Sequence, residues 1–150
     1  MSVLYFAYGA NMAEAELGSF VPKRRFLGAA RLRGFRLAFR RRSIRWGGGA
    51  ADIVESSGDV VWGALFELPD GGLDALDAKE GRGVAYRRRD VKVTLEDGVR
   101  SAVTYEVIEK EPVDVPPTPD YTALLLGGAR ERGLPEDYLA ELERRLPAVR

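Results

Sequence analysis

Two stretches of the chain carry residue types at spacings that could do chemistry. In Asp77-Ala78-Lys79-Glu80-Gly81, Glu80 falls in the last turn of a predicted short helix. The negative end of the helix dipole lies there, disfavours an ionised carboxylate and raises its pKa. A carboxyl tuned in that direction suits general acid–base work near neutral pH. By spacing alone, a surface glutamate at a helix end is the plainer reading. The second stretch is Val3-Leu4-Tyr5-Phe6-Ala7-Tyr8-Gly9-Ala10-Asn11-Met12. Val3 to Tyr8 is apolar and aromatic, as a buried strand is, and Gly9 stops it. Asn11 can cap the helix predicted over Ala13-Glu14-Ala15-Glu16-Leu17, which Gly18 closes. At such a strand–turn–helix junction, backbone N–H groups lack helical partners and favour an anion in front of them. An isolated Gly-x-Asn is more often a plain connection.

The chain contains no histidine and no cysteine. That excludes Ser-His-Asp and Cys-His nucleophilic designs, imidazole-based zinc sites, disulfides and thiolate chemistry. Proton transfer then falls to a carboxylate, a lysine or a tyrosine. At 150 residues, with 45% hydrophobic and 31% charged content, the chain reads as one soluble globular domain over residues 1–150. No apolar run approaches the ~20 residues of a spanning helix, and no signal-like start is present. No membrane association and a cytoplasmic location are the expectations.

Net charge is zero, but the charges are segregated. Between Leu17 and Ala51 there are no acids, while Lys23, Arg24, Arg25, Arg31, Arg33, Arg36, Arg40, Arg41, Arg42 and Arg45 all fall there. Leu32, Phe35, Leu37 and Phe39 alternate with these arginines, which describes a half-buried strand with a solvated face. No nucleic-acid-binding motif accompanies the charge, so no nucleic-acid partner is expected.

Strands are predicted at Phe26–Leu32 and Phe35–Arg40, separated by Gly34. Ser43–Gly49 reads as a flexible Gly-rich loop. Ala50–Glu55 and Val60–Leu68 read as strands joined by a Ser56-Ser57-Gly58-Asp59 hairpin, with Trp62 in the core. A short helix carrying Leu73 and Leu76 ends at Gly81. Val84–Leu95 and Val99–Ile108 flank a Glu96-Asp97-Gly98 turn, and an acidic, Pro-rich connection follows. Thr118-Pro119-Asp120 opens a helix through Arg132, and Pro135 opens another that Pro147 ends. Many short strands with inserted helices predict an α+β domain with a curved or barrel-like sheet.

Several blocks resemble the γ-glutamylcyclotransferase family, within the AIG2-like superfamily. They are Tyr5-Phe6-Ala7-Tyr8-Gly9-Ala10-Asn11, Ala30-Arg31-Leu32 with Phe35, Leu37 and Phe39, and Gly58-Asp59-Val60-Val61-Trp62-Gly63. Further along come Leu76-Asp77 with Glu80-Gly81, Tyr86, Pro116-Pro117-Thr118-Pro119-Asp120-Tyr121, and Gly128-Ala129-Arg130-Glu131-Arg132-Gly133-Leu134-Pro135. They occur in family order from Tyr5 to about Leu142. The resemblance implies a small mixed β-barrel with flanking helices, γ-glutamylcyclotransferase-like, and a lyase or acyltransferase of glutathione metabolism. It implies conversion of γ-glutamyl amino acids or peptides to 5-oxoproline and a free amino acid, without metal or cofactor, by a homodimer. Glu80 would be the catalytic base and acid. Tyr5, Phe6, Ala7, Tyr8, Gly9, Ala10, Asn11, Met12, Tyr86 and Tyr121 would bind substrate. One departure is visible: the family's Tyr-Gly-Ser-Asn has Ala10 in the Ser place, which removes a hydroxyl. Rival readings are a cyclotransferase for γ-glutamyl amines or a γ-glutamyl-protected metabolite, and a non-catalytic ligand-binding relative.

Overall fold

The computed structural model describes residues 2–80 and 85–146, with Glu80 described in its backbone alone. The expected helix stop at Gly81, strand start at Val84 and helix end at Pro147 lie outside the described residues. Among the described residues, five strands close a barrel: β1 (Val3–Ala7), β2 (Arg25–Ser43), β3 (Gly48–Leu68), β4 (Tyr86–Leu95) and β5 (Gly98–Val107), in the order β1-β3-β2-β4-β5. Four α-helices flank it: α1 (Glu14–Phe20), α2 (Gly72–Glu80), α3 (Pro119–Glu131) and α4 (Glu136–Arg145). All neighbouring strands are antiparallel except β1 and β5, which pair in parallel with Tyr5 opposite Val103. The barrel is therefore mixed. Closure gives each of the described strands two neighbours, the arrangement that protects strands from pairing elsewhere. No described helix is long and apolar enough to cross a membrane.

Two expected breaks are corners of continuous strands instead. Gly34 does not end a strand, and Ser56–Asp59 is not a hairpin: Arg33 pairs with Val60 and Phe35 with Glu55, so the two irregularities face each other. Gly34 and Gly58 both take positive φ, +84° and +85°, which a side chain would resist. The β2–β3 ribbon bends there and continues. The expected Gly-rich loop is likewise a hydrogen-bonded turn. Gly47 N–H donates to Ser43 O at 3.0 Å, Trp46 N–H donates to Ser43 Oγ at 3.1 Å, and Gly48 already belongs to β3.

A third irregularity shapes the site. Ala38 pairs with Asp52 and Arg41 with Ala50, so β2 carries one residue more than β3 between these pairs. Without that bulge Arg40 would stand opposite Ala50. With it, Arg41 does, and the Arg40 guanidinium turns to Asp114 at 2.7 Å.

Phe6, Leu65, Phe66, Val61, Leu37 and Ile53 are the large fully buried side chains of the barrel strands, and Met12, Leu17, Leu76, Leu125 and Leu142 are fully buried with them from the 3-10 turn and the helices. Trp62 departs from expectation: it is half-buried, with the Arg31 guanidinium 6.0 Å from its ring centroid. The first helix also starts differently. Ala10–Met12 form a 3-10 turn and Ala13 caps α1, so Asn11 does not cap a helix. Its amide is committed to side chains of the site instead. Thr118 does cap α3, accepting from Tyr121 N–H at 3.3 Å, with Pro119 in the first turn.

Candidate active site

A cavity of about 290 Å³ opens at the end of β1. β1 delivers Tyr5, Tyr8 follows directly after its last residue, and the turn beyond supplies Gly9, Ala10 and Asn11. The N–H groups of Ala10 and Asn11 begin that 3-10 turn, so they have no partner within it. Gly9 is required sterically. A Cβ there would stand 2.9 Å from the Ala51 Cβ and 3.2 Å from the Tyr121 hydroxyl.

Asn11 is 5% exposed and braced on both sides. Its Oδ1 accepts from Lys79 Nζ at 2.5 Å, and its Nδ2 donates to the Tyr5 hydroxyl at 2.9 Å. Lysine can only donate, so the amide has one orientation compatible with both partners. Lys79 also contacts Glu16 at 3.2 Å, and Arg45 grips the same carboxylate through two bonds of 2.7 and 3.0 Å. Burial pushes the Glu16 carboxyl upward, but Arg45 and Lys79 outweigh it and hold the pKa below its ordinary 4.5. Glu16 thus remains an anion that ties α1 to α2 and to the β2–β3 turn behind the cavity.

The opposite wall is organised by Ala51. It lies across from the β2 bulge, between the paired residues Ala50 and Asp52, so the ladder does not serve its peptide groups. Two tyrosines do. Ala51 N–H donates to the Tyr121 hydroxyl at 2.9 Å, and the Tyr86 hydroxyl donates to Ala51 O at 3.1 Å. Trp46 stacks edge-on against Tyr121 with centroids 5.4 Å apart, and Arg45 lies 4.6 Å above Trp46. Tyr105 forms the floor. Its hydroxyl donates to Asp77 at 2.7 Å, its carbonyl accepts from the Tyr8 hydroxyl at 2.6 Å, and its ring meets Tyr5 edge-on at 6.0 Å.

Of the residues expected to bind substrate, Tyr5, Tyr8, Gly9, Ala10, Asn11, Tyr86 and Tyr121 line this cavity. Phe6, Ala7 and Met12 are not among its lining residues; all three are buried in the core. Glu80 is the last residue of α2, between Lys79 and Ala85, which both line the cavity, and its side chain lies outside the described residues. Lys79, Arg41, Arg45, Trp46 and Tyr105 also line it and were not anticipated. The acid-free basic segment was the available signal for the two arginines. Lys79 was visible as the neighbour of Glu80. The described lining carries three cations and no carboxylate, so it favours an anionic ligand.

Comparison with known proteins bears on this arrangement. The AIG2-like family model matches residues 60–142. Gamma-glutamylcyclotransferase of Bos taurus is 36% identical over 147 residues, covering 94% of this chain and 77% of the relative. Its Homo sapiens counterpart is 35% identical over 95% of this chain and 78% of its own length. A solved structure described as gamma-glutamyl cyclotransferase superposes with a TM-score of 0.90 at 34% identity, covering 95% of this chain and 87% of that one.

Proposed function

Since the chain belongs to the γ-glutamylcyclotransferase family, we propose that it converts γ-glutamyl amino acids or short γ-glutamyl peptides to 5-oxoproline and the free amine component, with Glu80 moving the proton. The observation that carries this reading is the cation-lined cavity bordered by the Gly9 turn and by both chain neighbours of the Glu80 segment, Lys79 and Ala85.

The substrate's α-amine attacks its own γ-carbonyl carbon, forming the C–N bond of a five-membered ring. Because both groups belong to one molecule, binding in the folded conformation supplies much of the advantage. Glu80 accepts the proton that the attacking nitrogen must lose. It returns that proton to the departing nitrogen as the original amide bond breaks. Such a role is worth about 10² to 10⁴ in rate. The Ala10 and Asn11 N–H groups face the oxyanion or the substrate carboxylate, a contribution on the order of 10² to 10³ for an oxyanion donor. Asn11, held between Lys79 and Tyr5, fixes the turn that presents them. Tyr86 and Tyr121 act through Ala51, keeping the opposite wall in place.

The family resemblance also supports the cytoplasm as the working compartment and a homodimer as the assembly, the second open to light scattering. The activity test is incubation with several γ-glutamyl dipeptides and quantification of 5-oxoproline. Release of 5-oxoproline supports the reading. Binding without release identifies a non-catalytic relative and overturns it.

A further inference from the structure

Arg41 stands apart from the other cations of the cavity. Lys79 and Arg45 are both committed to Glu16, and Arg40 to Asp114. Arg41 is half-buried and lines the cavity, and its guanidinium has no hydrogen bond or ion pair with any described residue. Its position is set by the extra residue in β2, which puts it opposite Ala50. Directly paired residues of an antiparallel ladder project to one face of the sheet, and both of these line the cavity. A half-buried guanidinium without an anion among the described residues can receive one supplied by a ligand, because its planar fork matches a carboxylate in two parallel hydrogen bonds.

Resting on the function proposed above, we infer that Arg41 binds the carboxylate of the departing amino acid and thereby selects γ-glutamyl amino acids over γ-glutamyl amines. The substrate carries two carboxylates. The one on the glutamyl end lies beside the reacting amine and carbonyl, hence at the Gly9 turn. The other lies at the far end of the acceptor residue. Arg41 sits near the β2–β3 turn, whose Ile44 is 95% exposed while still lining the cavity, which marks that side as the mouth. The inner end of the cavity thus holds the group that cyclises and the mouth holds the group that leaves. Contact with the distant carboxylate is the same before and during ring closure, so it acts on KM more than on kcat.

The test compares γ-glutamyl-alanine with γ-glutamyl-ethylamide, which differ by the acceptor carboxylate, through 5-oxoproline release by wild type, Arg41→Gln and Arg41→Lys. Thermal melting of each variant accompanies the assay. The expected wild-type preference in kcat/KM is about 10- to 100-fold for the alanine substrate, the range for a charge-assisted hydrogen bond. Arg41→Gln brings that ratio toward one, chiefly through KM, and Arg41→Lys retains part of it. Should the Gln variant fail to fold, the ratio in the Lys variant decides: a partial fall supports the inference, and an unchanged ratio overturns it. A folded Gln variant with the wild-type ratio, or a wild type with no preference, overturns the role of Arg41 and leaves the cyclisation intact. A wild type that releases 5-oxoproline from neither substrate overturns the parent function and this inference with it.

Discussion

The hydroxyl of Tyr121 accepts the backbone N–H of Ala51 at 2.9 Å, across a gap in the β2–β3 ladder. Tyr121 lies in the first turn of α3 and Ala51 lies in β3, so this bond fastens a helix to the wall of the cavity. The Tyr86 hydroxyl completes the same peptide by donating to Ala51 O. Two side chains thus replace the ladder bonds lost where Phe39 and Arg40 stand opposite Ala51.

Tyr121→Phe leaves the buried Ala51 N–H without that acceptor. An unsatisfied buried donor costs about 1–3 kcal/mol. Urea unfolding of the variant is expected to show a loss in that range, together with reduced 5-oxoproline release as the wall relaxes. Wild-type stability in the Phe variant would show that this bond does not hold the wall.

Glu80→Gln keeps the size of the side chain and removes its ability to take a proton. Turnover is expected to fall by about 10² to 10⁴, with the melting temperature little changed. A Gln variant turning over at the wild-type rate would remove Glu80 from the mechanism.

Glu16 makes part of the stability pH-dependent. Its folded pKa lies below the ordinary 4.5, so its contribution is fully present above that value and is lost as pH falls through the folded value. Asp52 works in the opposite sense. Burial raises its carboxyl above the ordinary 3.8 despite Lys110 and the Val107 N–H, so its ionisation opposes folding. Stability measured against pH below about 4.5 should therefore decline less steeply in Glu16→Gln than in wild type. Parallel curves for the two proteins would contradict the assignment.

Ala10→Ser restores a hydroxyl to a position that lines the cavity and is 7% exposed. A net hydrogen bond of about 0.5–1.5 kcal/mol corresponds to a gain of roughly 2- to 10-fold in kcat/KM on γ-glutamyl dipeptides. A variant with unchanged or lower kcat/KM would show that this chain's cavity does not use the hydroxyl.

Much of the site was legible because it follows from local sequence. The apolar run Val3–Tyr8 stopped by Gly9, the capping Thr118 before Tyr121, and the chain neighbours of Glu80 all point to the elements that now surround one cavity. The barrel was legible as alternation and as family order. What local reading missed depends on pairing across the sheet. Gly34 and Ser56–Asp59 each look like an end, and only their mutual opposition makes them a corner. Asn11 has the residue type of a helix cap, but Lys79 and Tyr5, remote or out of turn, claim its amide. Phe6, Ala7 and Met12 belong to the motif by position, but they are buried away from the cavity lining. Arg41 is indistinguishable from its arginine neighbours until the extra residue of β2 is counted.

β1 lies between its antiparallel partner β3 and its parallel partner β5, so the strand that shuts the barrel also leads into the bend that borders the cavity. A ligand bound at that bend would stabilise the folded domain as a whole rather than one loop. The tip of the β2–β3 ribbon stands outside that seam. Under the proposed reaction, substitutions there would change the choice of departing amine while leaving the ring-closing frame whole.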